Sequence, residues 1–196
     1  RASLFCCKHA VKIMKENGCY FLTDEEISKL SDFMVNSERH ILNPAVVGQS
    51  AFKIAQMAGI KVSENTKILI AQMHGVGIDY PLSMEKLSPV LAYYKVENFQ
   101  EGFEICKSVI NFEGQGHTVV IHSNNKELIR QFGIKMDAGR ILVNSPASQG
   151  AIGDVYNTAV PSLTLGCGSH GKNSTTSNIS VKNLINIKRI FNRRVN

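Results

Sequence analysis

Three short segments carry the polar residues that could do chemistry in this sequence. Glu85 precedes Lys-Leu-Ser-Pro, His117 lies in Gly-Gln-Gly-His-Thr, and residues 161–174 read Pro-Ser-Leu-Thr-Leu-Gly-Cys-Gly-Ser-His-Gly-Lys-Asn-Ser. A carboxylate can accept hydrogen bonds from two neighbouring hydroxyls, and an imidazole titrates near neutral pH, where it can transfer protons. The glycines of the third segment indicate a loop that bends sharply or approaches something closely. Taken alone, each segment is more typical of an ordinary protein surface.

Apolar residues recur along the chain in a pattern that predicts alternating strands and helices. Four runs have the length and composition of strands: 67–71, 90–96, 118–122 and 140–144. Five stretches have the pattern of helices: 2–17, from Thr23 or Asp24 to Met34, 50–57, 97–112 and 125–132. This order indicates an α/β fold with a mostly parallel sheet and crossover helices. In such folds ligands bind at the carboxyl ends of the strands.

The composition is that of an ordinary globular protein. The 196 residues suit one domain with a sizeable core, and 43% of them are hydrophobic while 19% are charged. No apolar run reaches the roughly 18 residues that a membrane helix needs, so we expect no membrane partner. The sequence starts at Arg1 without a signal segment, and we therefore expect it to be a piece of a longer protein.

The cysteines and the distribution of charge indicate the cellular environment of the protein and the classes of partner that it could bind. Five cysteines without a Cys-x-x-Cys pair indicate reduced thiols in the cytoplasm and predict no metal site. The net charge of +6 comes from residues 155–196, which hold six basic residues and no acidic one. No aromatic platform accompanies this basic tail, so we expect no nucleic-acid partner. Apolar residues alternate over 181–190, which predicts a tail strand with an edge ready for pairing in a homo-oligomer.

Taken together, the three segments resemble the C-terminal half of the catalytic domain of CoA-acylating aldehyde dehydrogenases. The aldehyde dehydrogenase half of the bifunctional aldehyde-alcohol dehydrogenases is included in this resemblance. It covers residues 18–190 and is strongest in four blocks that occur in the family's order: 85–91, 116–118, 140–153 and 161–174. The resemblance implies a partial catalytic domain over 1–154, with its N-terminal part missing. It also implies an active-site loop and a basic oligomerisation tail over 155–196, which an alcohol dehydrogenase domain could follow.

The resemblance assigns roles to three residues. Glu85 matches the glutamate of a Glu-x-Phe-Gly-Pro motif that binds the hydroxyls of the nicotinamide ribose, with Leu87 and Ser88 in place of Phe and Gly. The Leu-Ser-Pro form is associated with the CoA-acylating branch. His117, in Gly-His-Thr, would either help to deprotonate the CoA thiol or orient and polarise the acyl intermediate. Leu165 matches a position that faces the bound nicotinamide cofactor.

The implied reaction uses NAD as cofactor and CoA as co-substrate to oxidise acetaldehyde or a similar small aldehyde. In this family a cysteine thiolate attacks the aldehyde, and that cysteine lies upstream in a segment resembling Ile-Cys-(Ala/Ser)-Ser-Glu-Gln. The sequence contains no such segment, so we expect the isolated chain to be inactive. Two alternatives remain: a non-catalytic assembly module, and a fragment of a hydrolytic aldehyde dehydrogenase in which water releases the acyl group.

Overall fold

The structure is a computed structural model that describes residues 3–4, 8–36 and 40–194. Cys6 and Cys7 lie outside the described residues. The chain divides into two compact units, and the boundary falls between Gly114 and Gln115. The predicted division at residues 154/155 concerns the loop and the tail, and it stays a prediction.

Among its described residues, the first unit contains two sheets and four helices. Its strands are β1 Ser3–Leu4, β2 Cys19–Phe21, β3 Val35–Asn36, β4 Ile41–Leu42, β5 Ile68–Gln72 and β6 Val90–Tyr93. Its helices are α1 Lys8–Glu16, α2 Asp24–Met34, α3 Ala51–Met57 and α4 Phe99–Glu113, with 3-10 turns at Pro44–Val46 and Pro81–Ser83. Four strands form a parallel sheet in the order β1-β6-β5-β2, and β3 pairs with β4 in the antiparallel sense.

Strand β5 lies in the interior of the parallel sheet. Leu69, Ile70 and Ala71 are all fully buried, although successive side chains of a strand point to opposite faces. Both faces of the sheet are therefore covered at this strand, as its continuous apolar run predicts. The mostly parallel sheet expected from the sequence is confirmed.

Helix α2 begins where its sequence predicts. The Thr23 hydroxyl accepts the Glu26 backbone N–H, and the Glu26 carboxylate accepts the Thr23 backbone N–H at 2.9 Å. This reciprocal pair is a capping box, which satisfies two N–H groups that the helix itself leaves unpaired. Leu30 and Met34 on its apolar stripe are fully buried in the core.

Two short strands of the parallel sheet differ from the sequence prediction, as do β3 and β4, which that prediction does not contain. The predicted helix over 2–17 is wrong at its start, because Ser3 and Leu4 pair in parallel with Ala92 and Tyr93 of β6, and α1 begins only at Lys8. Strand β2 was not predicted at all. It has three residues and is defined by its pairing with β5, and so few residues show no periodicity.

The second unit is built on two parallel strands. Its elements are β7 Gly116–Ile121, α5 Lys126–Lys135, β8 Ala138–Val143 and α6 Ala147–Gly150, with 3-10 turns at Asp154–Tyr156 and Val181–Asn183. Helix α5 connects β7 to β8, and Val119, Ile121, Phe132 and Met136 are buried. At the carboxyl end of the pair, Asn144 binds both backbone groups of Ser123, at 2.9 Å to its N–H and 3.0 Å to its carbonyl.

The tail strand is predicted to pair with a neighbouring subunit, and it stays a prediction. After Val181–Asn183 the described residues, up to 194, adopt no regular structure and form no strand pairing. Their apolar side chains are highly exposed: Leu184 84%, Ile190 90% and Phe191 86%. A strand needs the backbone groups of a neighbouring strand, which alternation in the sequence cannot supply. Among the described residues, no helix is both long and apolar enough to span a bilayer.

Candidate functional site

Glu85 lies in the first unit, at a turn shortly after the 3-10 helix Pro81–Ser83. The residue is half-buried, and its backbone N–H donates to Oε2 of Glu113 at 2.7 Å. Glu113 is the last residue of α4, so this bond joins the turn to the end of a helix 28 positions away. The backbone that carries the Glu85 side chain is therefore anchored by a charge-assisted hydrogen bond.

The neighbouring Lys86 is buried, with only 7% of its surface exposed. Its ammonium donates to the carbonyl oxygens of Leu82 at 2.6 Å and Met84 at 2.8 Å. Burial lowers the pKa of Lys86 to about 8, while the negative charges of Glu113 and Glu85 act in the opposite direction. Lys86 thus stabilises the turn by binding two of its backbone carbonyls. The sequence alone does not predict this role, because a lysine in a polar motif is usually exposed.

Leu87 has a strained backbone and an exposed side chain. Its φ angle is +45°, in the left-handed region, and 62% of its surface is exposed. A bulky residue in this region costs of the order of 1 kcal/mol, and such strain is concentrated at functional sites. The turn therefore combines a buried ammonium at Lys86 with an exposed residue of strained backbone, Leu87, close to Glu85.

His117 is the second residue of β7 and is exposed. The preceding Gly116 has a φ of +78°, and a Cβ atom at this position would overlap the carbonyl oxygen of Cys167. The backbone at the start of β7 is therefore packed directly on the loop that contains Cys167. This is the amino end of the strand, whereas the general rule for α/β sheets points to the carboxyl ends.

The loop that carries Leu165 runs alongside a second stretch of the same unit. Leu165 is half-buried and forms an antiparallel bridge with Asn178. On either side of the loop's tip, Gly166 N–H donates to the Ser177 carbonyl at 3.1 Å and Gly168 N–H to the Thr175 carbonyl at 2.8 Å. The Gly/Ser-rich segment is thus ordered, with residues 165–168 hydrogen-bonded to residues 175–178.

Arg140, on β8, holds this loop from the side of the sheet. Its Nη1 and Nη2 both donate to the Gly166 carbonyl oxygen, at 2.8 and 2.7 Å. Its Nε is buried and has no hydrogen-bond partner. The next peptide N–H, of Cys167, donates to Oδ1 of Asn173 at 3.0 Å. Sequence reasoning missed Arg140, because nothing in its neighbourhood in the chain predicts a contact 26 residues away.

The second unit brings two of the three predicted site residues close in the fold. His117 follows Gly116, which packs on Cys167, and Leu165 lies two residues before Cys167. Glu85 belongs to the first unit, with Glu113 and Lys86 around it. Within the described part of the chain, no group of three or more His, Cys, Asp or Glu side chains could hold a metal ion.

Comparison with known proteins identifies the relatives of this chain. No protein-family model matches the sequence. Aldehyde-alcohol dehydrogenase 2 of Entamoeba histolytica is 46% identical over 195 residues, which cover 95% of this chain and 22% of that protein. The acetylating succinate-semialdehyde dehydrogenase of Clostridium kluyveri is 39% identical over 181 residues, covering 91% of this chain and 39% of that protein.

A solved structure extends the similarity to three dimensions. An acetylating aldehyde dehydrogenase from Geobacillus thermoglucosidasius superposes with a TM-score of 0.89 at 39% identity, over 98% of this chain and 43% of that one. The chain belongs to the acetylating aldehyde dehydrogenase family. It spans about a fifth of the length of the bifunctional relative and about two fifths of the acetylating ones. The fold and the family expected from the sequence motifs are thereby confirmed.

Within the acetylating aldehyde dehydrogenase family, this chain supplies a region of the enzyme and not its whole length. The turn at Glu85, the start of β7 at His117 and the loop at Leu165 are each ordered by contacts within their own unit. Each of these elements therefore presents its candidate side chain on a backbone that is already fixed. Fixed backbones are what positioning of a cofactor or a substrate requires.

Proposed function

We propose that this chain is the C-terminal part of the catalytic domain of an NAD-dependent, CoA-acylating aldehyde dehydrogenase. The complete enzyme converts acetaldehyde, CoA and NAD⁺ into acetyl-CoA, NADH and a proton. The observation that supports the proposal is the packing of Gly116, the residue before His117 in the Gly-His-Thr motif, on the Cys167 carbonyl of the Leu-Gly-Cys-Gly loop. The similarity to acetylating enzymes over more than nine tenths of the chain supports the same assignment.

Two residues fit a nicotinamide cofactor. The Glu85 carboxylate is half-buried on an anchored turn, and a carboxylate accepts hydrogen bonds from two vicinal ribose hydroxyls at once. Leu165 is half-buried and apolar, as a residue in contact with a nicotinamide ring should be. NAD, when bound, supplies the hydride acceptor of the oxidation. Each of these residues, within its own unit, would orient the part of the cofactor that it contacts, and orientation governs the rate of transfer.

His117 is proposed to handle the thiol chemistry. The imidazole of His117 is exposed and can take the proton of the CoA thiol as a general base. In the second role, its N–H donates to the acyl group and orients the thioester for attack by CoA. The two roles differ in their dependence on pH, because only the first requires a neutral imidazole before CoA reacts.

The attacking cysteine is proposed to belong to the upstream part of the full-length enzyme. Cys167 is a free, half-buried thiol whose backbone is bound to Asn173 and packed on Gly116. We assign Cys167 to the lining of the cofactor side of the pocket. The 196-residue chain by itself should therefore form no NADH from acetaldehyde and CoA.

A chimera tests this function. The 196 residues replace the matching region of the Entamoeba histolytica aldehyde-alcohol dehydrogenase 2, and NADH formation from acetaldehyde is measured by absorbance with and without CoA. The expected result is CoA-dependent activity in the chimera and none in the isolated chain. NADH formation that is equal without CoA would favour a hydrolytic enzyme, and robust turnover by the isolated chain would refute the upstream nucleophile.

Matched variants assign the residues. Glu85→Gln and His117→Ala are each expected to lower kcat/KM by about a hundredfold or more. The controls are Glu64→Gln, an exposed glutamate in a loop, and His122→Ala, an exposed histidine just beyond the other end of β7. The unfolding midpoint of each variant, expressed as the 196-residue chain, reports whether it is folded. Equal loss in His117→Ala and His122→Ala would remove His117 from the proposed chemistry.

A second function, assembly, is favoured by the exposed tail. Leu184, Ile190 and Phe191 present apolar side chains to solvent, and such a segment gains stability when a strand of another subunit pairs with it. Light scattering after size-exclusion chromatography of the chain should then give a mass above that of one copy. A strictly monomeric, folded chain would count against assembly. An alcohol dehydrogenase domain in the same polypeptide and a location in the cytoplasm complete the proposal.

A further inference from the structure

Arg140 directs both of its terminal nitrogens at one backbone oxygen. We propose that Arg140 is a positioning residue that fixes the Gly166–Cys167 peptide and, through it, the orientation of Leu165 towards the nicotinamide cofactor. The inference rests on the proposed function for the role of Leu165. The two donor distances of 2.8 and 2.7 Å and the adjacent Cys167–Asn173 bond carry it.

The peptide between Gly166 and Cys167 is held on both of its sides. In a trans peptide the carbonyl and the N–H point in opposite directions. Here the carbonyl accepts two charge-assisted bonds from Arg140, and the N–H donates to Oδ1 of Asn173 at 3.0 Å. Rotation of this one peptide plane would break all three bonds. The glycine at 166 would otherwise leave the plane free to rotate, because it has no side chain to restrict it.

The guanidinium is committed to this carbonyl. Among the residues that the structure describes, no carboxylate forms an ion pair with Arg140. An arginine presents its terminal N–H groups in a rigid, planar fork, so two bonds to one oxygen fix its direction as well as its distance. Lysine carries the same charge but has no fork. The role therefore depends on the shape of the side chain and not only on its charge.

Arg140 also ties the loop to the strand of His117. Strands β7 and β8 pair in parallel with Thr118 opposite Arg140, and Thr118 directly follows His117. One side chain thus joins the strand that carries the proposed acid–base residue to the loop that carries the proposed cofactor contact. Its loss should disturb binding at the nicotinamide end without removing any group that reacts.

The kinetic test uses the full-length chimera. Arg140→Met should raise the KM for NAD by about tenfold, the equivalent of one charge-assisted bond, and change the KM for CoA less than about twofold. Arg140→Lys should recover part of this loss. Arg130→Met is the matched control, because Arg130 is exposed on α5 in the same unit, and it should change neither constant. An NAD KM within about twofold in Arg140→Met, alongside a strong effect of Glu85→Gln, would overturn the positioning role while leaving the proposed function intact.

Amide hydrogen exchange provides a readout that does not depend on activity. In Arg140→Met, the peptide that contains the Cys167 N–H should exchange about tenfold faster, while the β7 and β8 amides keep their protection. Unchanged exchange at Cys167 would overturn the proposal even if activity fell. An unsubstituted chimera that forms no NADH would instead refute the proposed function, and the exchange at Cys167 would still decide whether Arg140 fixes the loop.

Discussion

The Glu113 carboxylate accepts the backbone N–H of Glu85 at 2.7 Å and so joins the end of α4 to the turn that carries the proposed ribose-binding carboxylate. The bond uses the side chain of one glutamate and the backbone of the other. The two carboxylates therefore have different roles. The Glu113 carboxylate fixes the backbone of the turn, and that backbone determines where the Glu85 side chain lies. The placement of Glu85 consequently depends on an acceptor that is 28 residues distant in sequence.

Removal of this acceptor should loosen the turn. In the chimera, Glu113→Ala leaves the Glu85 N–H without its partner, which costs about 1–3 kcal/mol, and we expect the KM for NAD to rise at least threefold. Glu113→Gln keeps an amide oxygen as acceptor and should stay close to the unsubstituted enzyme. Glu104→Ala, at an exposed position of the same helix, is the control. Identical NAD constants for Glu113→Ala and Glu104→Ala would show that the bond does not position Glu85.

Lys86 should make stability depend on pH in the alkaline range. Burial lowers its pKa from 10.5 to about 8, so the unfolded chain binds the proton more tightly than the folded one. The cost of the buried charge is then fully present below pH 8, and stability rises as the pH increases from 8 to 10.5. The expected gain is about 3 kcal/mol relative to Lys86→Met, which lacks the titrating group.

Urea unfolding at a series of pH values measures this gain. The difference in free energy of unfolding between the unsubstituted chain and Lys86→Met should increase steadily across this range. For Lys95→Met, at an exposed lysine just after β6, the difference should stay flat. A flat difference for Lys86→Met as well would mean that the ammonium remains charged at its two carbonyls throughout.

Cys106 should react slowly with alkylating reagents. Burial in α4 raises the pKa of its thiol to about 11, against an ordinary value of 9.0. At pH 8 the reactive thiolate is then about a hundredfold scarcer than for an ordinary thiol. Labelling with iodoacetamide, followed by mass spectrometry of the Cys106 peptide, should show this ratio between the native chain and the chain in urea. Equal rates in both conditions would indicate that α4 opens readily.

Gly116 should tolerate no side chain. Its positive φ and the Cys167 carbonyl oxygen beside it leave no room for a Cβ, so Gly116→Ala must displace the loop or the start of β7. We expect a loss of about 2 kcal/mol or more in stability and a fall in NADH formation by the chimera. Gly133→Ala is the matched control: a Cβ there meets nothing within 4 Å, and alanine in a helix gains up to about 1 kcal/mol. Similar unfolding midpoints for the two variants would contradict the packing at Gly116.

The elements that the sequence predicts correctly are those with a local cause. Helix α2 follows from the Thr23–Glu26 capping box and a regular apolar stripe, and β5 follows from its continuous apolar run. Strands β1 and β2 depend on pairing partners far along the chain, and the predicted tail strand depends on a partner in another subunit. Periodicity records which residues avoid water, but it does not record which backbone lies opposite.

The candidate site divides in the same way. Glu85, His117 and Leu165 were named because short motifs resemble those of a known family. The residues whose side chains hold the backbone of the turn and the loop are Glu113, Lys86 and Arg140, and the sequence analysis gave none of them a role. Each of them binds a backbone N–H or carbonyl. Because every residue type except proline has both groups, the sequence does not show which one is bound. Their roles follow only from coordinates.

The Asn144 side chain gives the two-stranded sheet of the second unit an asymmetric pair of ends. Its side-chain amide pairs with both the N–H and the carbonyl of Ser123, in the way that one more residue of a neighbouring strand would. At the opposite end of the strand pair, the backbone of Gly116 touches the glycine loop. A change in the position of the glycine loop is therefore best introduced at the Gly116 end of the strand pair.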